Sequence, residues 1–264
     1  MFKKKVLHGK KKIKMLKKLG FNVFDMHVHT NYSDGADTPQ EILKQAKKLG
    51  IGVAITDHNE IGGCVEALKN DHGVLVIPGI EITSYEGWHV LLYFSKLRDL
   101  QEFFREKLDN GKRRIKVEHI PKLKEKFDFL VSMAHPNGHF PWHNWKPNFK
   151  LKGIDAFEVF NAGSHPGQNK NSFKWARKFR KGLTGGSDAH LLNDLGTTIT
   201  ACKAKTVDKL LESIKRNETI VAGEHISFYR FALRYAIKLP VKKTFRSIKY
   251  SINSFLYYLG ITSE

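Results

Sequence analysis

Residues 25–35 read D-M-H-V-H-T-N-Y-S-D-G and directly follow a short apolar run at 21–24. The pattern predicts a buried strand that ends in two histidines, His27 and His29, with Asp34 in the turn beyond them. Residues two apart on a strand point to the same side, so both imidazoles can reach one point in space. Imidazole with carboxylate suits a divalent transition metal, and the stretch therefore indicates a metal site at the end of a strand.

The chain around this stretch, from about residue 21 to residue 225, alternates β-rich apolar runs with amphipathic helical segments. We predict strands over 21–26, 51–56, 74–80, 88–94, 128–134, 154–160, 183–185 and 218–222, and helices over 39–49, 97–109, 112–126, 168–181 and 206–216. The helix 39–49 has the strongest local signals: Thr38 can cap it, Glu41 closes a capping box and Gly50 follows its end. The alternation predicts an α/β fold with mostly parallel strands.

Other histidines and acids also lie near the ends of predicted strands, and in α/β folds the carboxyl ends of the strands meet on the face that carries the active site. The candidate metal ligands are His27, His29, Asp34, His58, Glu81, His89, His135, Asp188 and His190. His89 differs from the rest because it stands near the start of its predicted strand. A catalytic site with one ion uses about three protein ligands, so nine candidates imply two or three ions that share a carboxylate.

The net charge of +19 is concentrated at the two ends of the chain. Residues 1–20 hold nine lysines and no acid, and residues 225–264 hold seven lysines and arginines against one acid, which together give +15. We expect a basic amino-terminal tail at 1–20, a main domain at 21–225 and a basic amphipathic helical extension at 226–264. Such ends suit nucleic acid or an acidic membrane surface, and a merely solvated basic face is the alternative interpretation.

The two cysteines, Cys64 and Cys202, are too few for a disulfide framework and lack C-x-x-C spacing. No stretch approaches the ~20 apolar residues that span a bilayer, and the lysine-rich start lacks the apolar core of a signal peptide. We therefore expect a cytoplasmic protein.

The sequence blocks that carry these residues resemble the PHP family, named for polymerase and histidinol phosphatase. In chain order they are D-M-H-V-H-T with S-D-G, T-D-H-N, P-G-I-E-I-T, A-H-P-N-G and G-G-S-D-A-H, all within residues 21–225. The resemblance implies a distorted TIM-like (β/α)7 barrel with a trinuclear centre of zinc, manganese or iron. Asp34 stands where some members of the family have histidine. In this respect the sequence resembles the small phosphoesterase branch of the family.

The resemblance also implies a division of the ligands among three ions. The first ion would take His27, His29, Glu81 and Asp188, the second Glu81, His89 and His135, and the third Asp34, His58 and His190. The implied activity is hydrolysis of a phosphomonoester, a nucleotide or a nucleic-acid 5′ end by metal-activated hydroxide, as in a phosphatase or 5′–3′ exonuclease. Glu81 would bridge two ions, and Asp188 or His190 would pass a proton to the leaving oxygen.

Four further residues are candidates for substrate contact: Arg113, Arg114, His139 and His165. For the two arginines an exposed helix face is an equally good interpretation. The alternative to an enzyme is a protein that binds nucleic acid or a membrane surface and has a purely structural metal site. Against that alternative, a structural site is normally closed by four ligands and has no excess of bridging acid.

Overall fold

A computed structural model describes residues 5–108, 113–136 and 152–227. Within these residues, ten strands form one sheet: β1 (Val6–His8), β2 (Asn22–Val28), β3 (Gly52–Ile55), β4 (Val76–Thr83), β5 (His89–Tyr93), β6 (Leu130–Met133), β7 (Ala156–Asn161), β8 (Gly182–Gly186), β9 (Thr198–Cys202) and β10 (Ile220–Gly223). The candidate contact residue His139 and nearly all of the expected extension 226–264 lie outside the described residues.

Helices join most of the strands. They are α1 (Lys10–Lys18), α2 (Pro39–Leu49), α3 (Gly62–Lys69), α4 (Leu97–Lys107), α5 (Ile120–Lys126), α6 (Pro166–Lys178) and α7 (Val207–Lys215). Two 3₁₀ turns, Val117–His119 and Leu192–Asp194, complete the helical structure of the described ranges. Among these helices, none combines the length and the apolar character that crossing a membrane would require.

The strands of the sheet lie in the order β1-β10-β9-β2-β3-β4-β5-β6-β7-β8. Strands β2, β3 and β4 are parallel, as are β6, β7 and β8, and β5 joins the two sets as the antiparallel partner of β4 and β6. The α/β class is confirmed. The sheet has ten strands in the described part of the chain, not the seven that the resemblance implied, and the sequence pattern had not predicted β1 or β9.

The sheet curls so that the residues after β8 return to β2. The backbone N–H of His29 donates to the carbonyl of Ala189 at 2.9 Å. Gly186, the last residue of β8, is needed for this approach, because a Cβ there would lie 2.4 Å from the Cβ of His27. The curl therefore brings the first and the last candidate ligands in the sequence to the same edge of the sheet.

Apolar side chains fill the inside of the curl and also cover its outside. The Tyr93 hydroxyl on β5 donates to the Met26 carbonyl on β2 at 2.6 Å, although the two strands are three positions apart in the sheet. We call the apolar residues buried around this contact the inner layer: Phe24, Met26, Ala54, Ile77, Leu91, Tyr93, Leu130 and Ala156. An outer layer, which includes Leu43 of α2 and Phe103 of α4, packs the helices against the sheet.

Helix α2 begins and ends at the predicted residues. The backbone N–H of Glu41 donates to the Thr38 hydroxyl at 3.3 Å, and the Glu41 carboxylate accepts from the Thr38 N–H at 2.9 Å. Pro39 occupies the first turn, and Gly50 ends the helix with a left-handed φ of 62°. The predicted capping box is confirmed.

The amino-terminal segment takes part in the fold from residue 5 onward. Strand β1 pairs with β10, and Leu16 of α1 is completely buried in the outer layer. A lysine-rich helix can pack in this way because Ile13 and Leu16, three residues apart, share one face. This part of the expected basic tail is therefore a structural element, and only residues 1–4 of the tail lie outside the described part of the chain.

Candidate metal centre

All nine candidate ligands lie together at the carboxyl-terminal edge of the parallel strands. They fall into overlapping groups of three or four residues whose ligand atoms lie within 4.8 Å of one another. The groups are His29, Asp34, His58 and His190; His27, His135 and Asp188; His27, His29 and Glu81; and His58, Glu81 and His89. We call this set of nine residues the metal cluster.

Glu81 lies at the centre of the metal cluster and is completely buried. Its Oε2 atom lies 3.2 Å from His27 Nε2, 3.2 Å from His29 Nε2 and 3.0 Å from His58 Nδ1. The two Nε2 atoms of His27 and His29 are themselves only 3.1 Å apart. Three imidazole nitrogens thus converge on one carboxylate oxygen.

The other oxygen of Glu81 faces a second pair of imidazoles. Oε1 lies 3.0 Å from His89 Nδ1 and 3.2 Å from His135 Nε2. One carboxylate therefore stands between two separate sets of nitrogen atoms, which is the position of a bridging ligand.

Two aspartates extend the metal cluster beyond Glu81. Asp188 Oδ1 lies 3.1 Å from His29 Nε2 and 3.5 Å from His27 Nε2, on the buried side. Asp34 Oδ1 lies 3.1 Å from His190 Nε2, and the Asp34 side chain is 33% exposed. The group around Asp34 is therefore on the solvent side of the metal cluster.

The direction of β5 explains why His89 reaches the metal cluster from the start of a strand. Strand β5 runs antiparallel to β4 and pairs His89 with Thr83, the last residue of β4. The first residue of an antiparallel strand lies at the edge where its partner ends. His89 therefore meets Glu81 although it precedes its strand's apolar residues.

Several buried atoms of the metal cluster lack the hydrogen bonds that buried polar atoms normally make. Within the described structure, Glu81 Oε2, His29 Nδ1, His58 Nδ1 and His89 Nδ1 have no hydrogen-bond partner. Each of the imidazole atoms nevertheless lies within 3.7 Å of a carboxylate oxygen. Ligands that share cations would face one another in this way, and the set of nitrogen and oxygen donors suits transition-metal ions.

Glu158 on β7 belongs to the site, and the sequence analysis missed it. The side chain is buried, its Oε1 accepts from His27 Nδ1 at 3.0 Å, and its Oε2 accepts from the backbone N–H of His135 at 2.7 Å. Because an ionised carboxylate can only accept, Nδ1 of His27 carries the proton and Nε2 is left to bind a cation. The available signal was an acid in the middle of a predicted apolar strand.

Two other buried aspartates hold the segments that carry candidate ligands. Asp57 accepts from the Thr30 N–H and hydroxyl, both at 2.7 Å, and from the Ser33 hydroxyl at 2.6 Å, which fixes the turn before Asp34. Asp25 accepts from the Ser187 N–H at 2.9 Å and the Ser187 hydroxyl. These acids position the loops and lie beside the ligand groups.

Burial and neighbouring charge shift pKa values within the metal cluster in both directions. Burial, together with the positive charge of His29, lowers the pKa of His58 to about 3. Burial also opposes protonation of His29, but the adjacent carboxylates of Asp188 and Glu81 raise its pKa to about 9. Burial disfavours an ionised Glu81, but nearby His58 and His27 hold its pKa well below the ordinary value. An ionised central carboxylate beside a neutral imidazole is a donor set ready for cations.

Two candidate ligands have a left-handed backbone, with φ of 27° at His135 and 53° at Asp188. Such a conformation costs a non-glycine residue about 1–3 kcal/mol, so the surrounding contacts must hold it. Glu158 accepts from the N–H of His135, and His190 Nδ1 donates to the Asp188 carbonyl at 2.8 Å. Local strain at both positions is consistent with a functional site.

Two of the candidates for substrate contact, Arg113 and His165, make other contacts in the described part of the chain. Arg113 is 52% exposed, and its guanidinium lies 3.1 Å from the carboxylate of Glu60, two residues beyond His58. Arg114 is exposed. His165 caps α6, where its Nδ1 accepts from the Gly167 N–H at 3.2 Å. Their roles toward a substrate stay predictions.

The fold and the metal cluster together define an α/β protein with a candidate site for several cations. Residues 25–228 match the model of the PHP domain. The match covers most of the chain, and the protein belongs to the PHP domain family.

Three known proteins illustrate the similarity. The chain is 35% identical over 159 residues to an uncharacterized protein of Methanocaldococcus jannaschii, covering 52% of this chain and 81% of the relative. It is 38% identical over 68 residues to a 5′-3′ exoribonuclease of Haemophilus influenzae, covering 24% of this chain and 25% of the relative. The solved structure of PsfC from Pseudomonas syringae has a TM-score of 0.62 at 19% identity, with coverage of 83% of this chain and 98% of that one. The structural likeness concerns the fold.

Proposed function

We propose that this protein is a divalent-metal-dependent phosphoesterase that hydrolyses a phosphomonoester, a nucleotide or the 5′ end of a nucleic acid. The observation that carries the proposal is the position of Glu81, whose two oxygens lie within 3.2 Å of two separate sets of imidazoles. A buried carboxylate so placed can hold two cations side by side. Paired cations are the arrangement that in-line displacement at phosphorus uses.

The distances support a division of the metal cluster into three cation sites around Glu81. We assign His27, His29, Glu81 and Asp188 to the first site, Glu81, His89 and His135 to the second, and Asp34, His58 and His190 to the third. His58 also lies 3.0 Å from Glu81 and so adjoins the other two sites. The third site includes Asp34, whose side chain is the most exposed of the nine at 33%, whereas the central Glu81 is fully buried. A substrate phosphate would therefore approach from the side of Asp34.

Divalent ions in these groups would supply Lewis-acid activation of water and neutralise the charge on phosphate oxygens. The chain's own residues would do the positioning. Glu158 keeps the proton of His27 on Nδ1, and Asp57 holds the turn that carries Asp34. Both contacts are made by buried carboxylates, so the ligands are held before a substrate arrives.

Either Asp188 or His190 would give a proton to the leaving oxygen. His190 Nδ1 donates to the Asp188 carbonyl, so Nε2 of a neutral His190 is an acceptor beside Asp34. His190 can act as the acid only while Nε2 carries a proton and binds no cation, so its role as acid and its role as ligand exclude each other at any one moment. Esters with a good leaving group need no acid, so an acid-deficient variant would lose less activity on them than on alkyl esters.

The charge of the chain and the names of three relatives support the nucleic-acid form of the proposal. The basic ends contribute +15 of the net charge of +19, and three relatives that match 24% of this chain are named 5′-3′ exoribonucleases. Basic segments bind nucleic acid in a salt-dependent manner, and an acidic membrane surface is the other partner they suit. A salt-dependent mobility shift with a single-stranded oligonucleotide would support the first partner, and flotation with anionic vesicles would support the second.

The function is tested with a manganese-supplemented panel of phosphomonoesters, nucleotides and 5′-phosphorylated oligonucleotides. We expect the wild type to hydrolyse at least one member and Glu81→Ala to lose several orders of magnitude in rate, because the shared ligand positions two cations. Glu125→Ala, at an exposed position on α5, is the matched control and should match the wild type. Equal rates for wild type and Glu81→Ala on every substrate would refute the enzymatic proposal.

A further inference from the structure

A groove outside the metal cluster combines an apolar floor with a basic rim. It lies between α6 and β1 and has a volume of about 670 Å³, and we call it the α6 groove. Pockets of about 300–1,000 Å³ are the usual size for small-molecule ligands. Its lining comes from β1, from β7 and β8 and from one face of α6.

The floor of the α6 groove is the outer face of β7 and β8. Val159, Phe160 and Leu183 form it and are almost completely buried, and Phe173 of α6 contributes a half-buried ring at the side. Strand β7 is irregular between Glu158 and Phe160, so Val159 and Phe160 both pack in the outer layer, whereas the Glu158 carboxylate contacts His27 in the metal cluster. The α6 groove is thus separated from the metal cluster by the sheet.

The rim carries positive charge from three segments of the chain, and no carboxylate is among the described lining residues. Lys5 Nζ donates to the Asn217 carbonyl at 2.8 Å and Lys181 Nζ donates to the Ile154 carbonyl at 2.7 Å, contacts that fix the ammonium groups without cancelling their charge. Lys170 and Arg177 are exposed on α6 and stand seven residues apart, about two helical turns along one face.

We propose that the α6 groove binds a small organic phosphate, whose anionic group would contact the basic rim and whose apolar or aromatic body would cover the floor. Charge complementarity favours an anion over a neutral ligand, because the described lining holds four cationic side chains and no carboxylate. The half-buried Phe173 ring and the exposed Pro166, which line the groove beside the floor, favour an organic molecule over inorganic phosphate. The proposal is independent of the function of the metal cluster.

The probe is 1-anilinonaphthalene-8-sulfonate, an aromatic anion, titrated by fluorescence into the full chain. We expect the double variant Lys170→Glu/Arg177→Glu to bind it about tenfold more weakly, because two attractive charges become repulsive. Lys174→Glu is the control for each of the two substitutions: it makes the same charge change as Lys170→Glu alone, at an exposed position of α6 that does not line the groove, and it should bind nearly as the wild type does. Neutral N-phenyl-1-naphthylamine should bind the wild type and the double variant alike.

Competition identifies the chemistry of the occupant. Phenylphosphonate should displace the probe at lower concentration than inorganic phosphate. Glu81→Ala should bind the probe as the wild type does, so probe binding tests the α6 groove separately from the proposed catalytic function. Thermal melts establish that each variant is folded. Equal probe affinity in folded double variant and wild type would overturn the proposal, as would displacement by an oligonucleotide or anionic vesicles but not by phenylphosphonate.

Discussion

The inner layer and the metal cluster adjoin each other in the curled sheet but bury different chemistry. Met26 belongs to the inner layer, and the next residue, His27, belongs to the metal cluster. The inner layer is stabilised by the removal of apolar surface from water, about 25 cal/mol per Å². The metal cluster instead buries imidazoles and carboxylates, which costs free energy unless partners compensate. We therefore expect packing to decide stability in one region and cations to decide it in the other.

The largest effect on stability is expected from a cavity in the inner layer. Ile77 is completely buried on β4, four residues before Glu81. Ile77→Ala should lower the free energy of unfolding by about 2–5 kcal/mol, and Ile77→Val by about 0.5–1.5 kcal/mol. Urea denaturation measures both values. If the comparison holds, the folded Ile77→Ala protein keeps the metal content of the wild type; loss of bound metal would show that the two regions are not separable.

Cations should stabilise the folded state through the metal cluster. A cation present at 100 times its dissociation constant adds about 2.7 kcal/mol if it binds only the folded chain. We expect manganese or zinc to raise the melting temperature of the wild type and of Ile77→Ala to a similar extent, and chelation to reverse the change. Glu81→Ala should gain clearly less, since it lacks the shared ligand. A wild-type melting temperature that does not respond to any divalent transition metal would contradict this prediction.

A smaller effect should follow from loosening the ligand that Glu158 holds. Glu158→Gln preserves the shape of the side chain but removes the charge that fixes the proton of His27 on Nδ1. Changes to residues that orient metal ligands typically weaken metal affinity by about 10–100-fold, and we expect a loss in that range from metal titrations. Glu125→Gln, on the exposed side of α5, is the control. An unchanged affinity in Glu158→Gln would show that the contact does not position the ligand.

The smallest expected effect on stability comes from the cap of α2, which begins four residues after Asp34 but whose capping hydrogen bonds are made only with Glu41. Thr38→Ala removes the cap of α2 and should cost about 1 kcal/mol of stability, with no change in metal binding. Thr206 accepts from the Lys209 N–H at the start of α7, so Thr206→Ala offers a matched second cap. Similar losses of unfolding free energy in the two variants, with unaltered metal affinity, would confirm that local capping is independent of the metal cluster. A loss of metal affinity in Thr38→Ala would contradict that independence.

The elements that sequence predicted well are those with strong local signals. Helix α2 has a cap, a proline in its first turn and a terminal glycine, all readable from neighbouring residues. Helix α3 begins with Gly62 and Gly63 and has no side-chain cap, so its sequence lacks those signals. Gly63 is there because a Cβ would lie 2.3 Å from Asp57 Oδ2, a contact that exists only in the folded chain.

The site was predictable to the extent that it follows strand ends. His27, Glu81 and Asp188 come at or after apolar runs, and the carboxyl ends of parallel strands meet at one edge. The sequence analysis missed Glu158 because this residue lies inside a predicted strand and not at its end. Its role depends on His27, which faces it across the curl of the sheet. The register of β5 against β4, which places His89 beside Glu81, is likewise a tertiary property.

The central claim is that the nine residues of the metal cluster bind divalent cations around Glu81. Equilibrium dialysis against manganese or zinc, followed by elemental analysis, measures the number of ions bound per chain. We predict two or three equivalents for the wild type and at least one fewer for folded Glu81→Ala. A wild type that binds none, or a Glu81→Ala variant that binds as many as the wild type, would contradict the account.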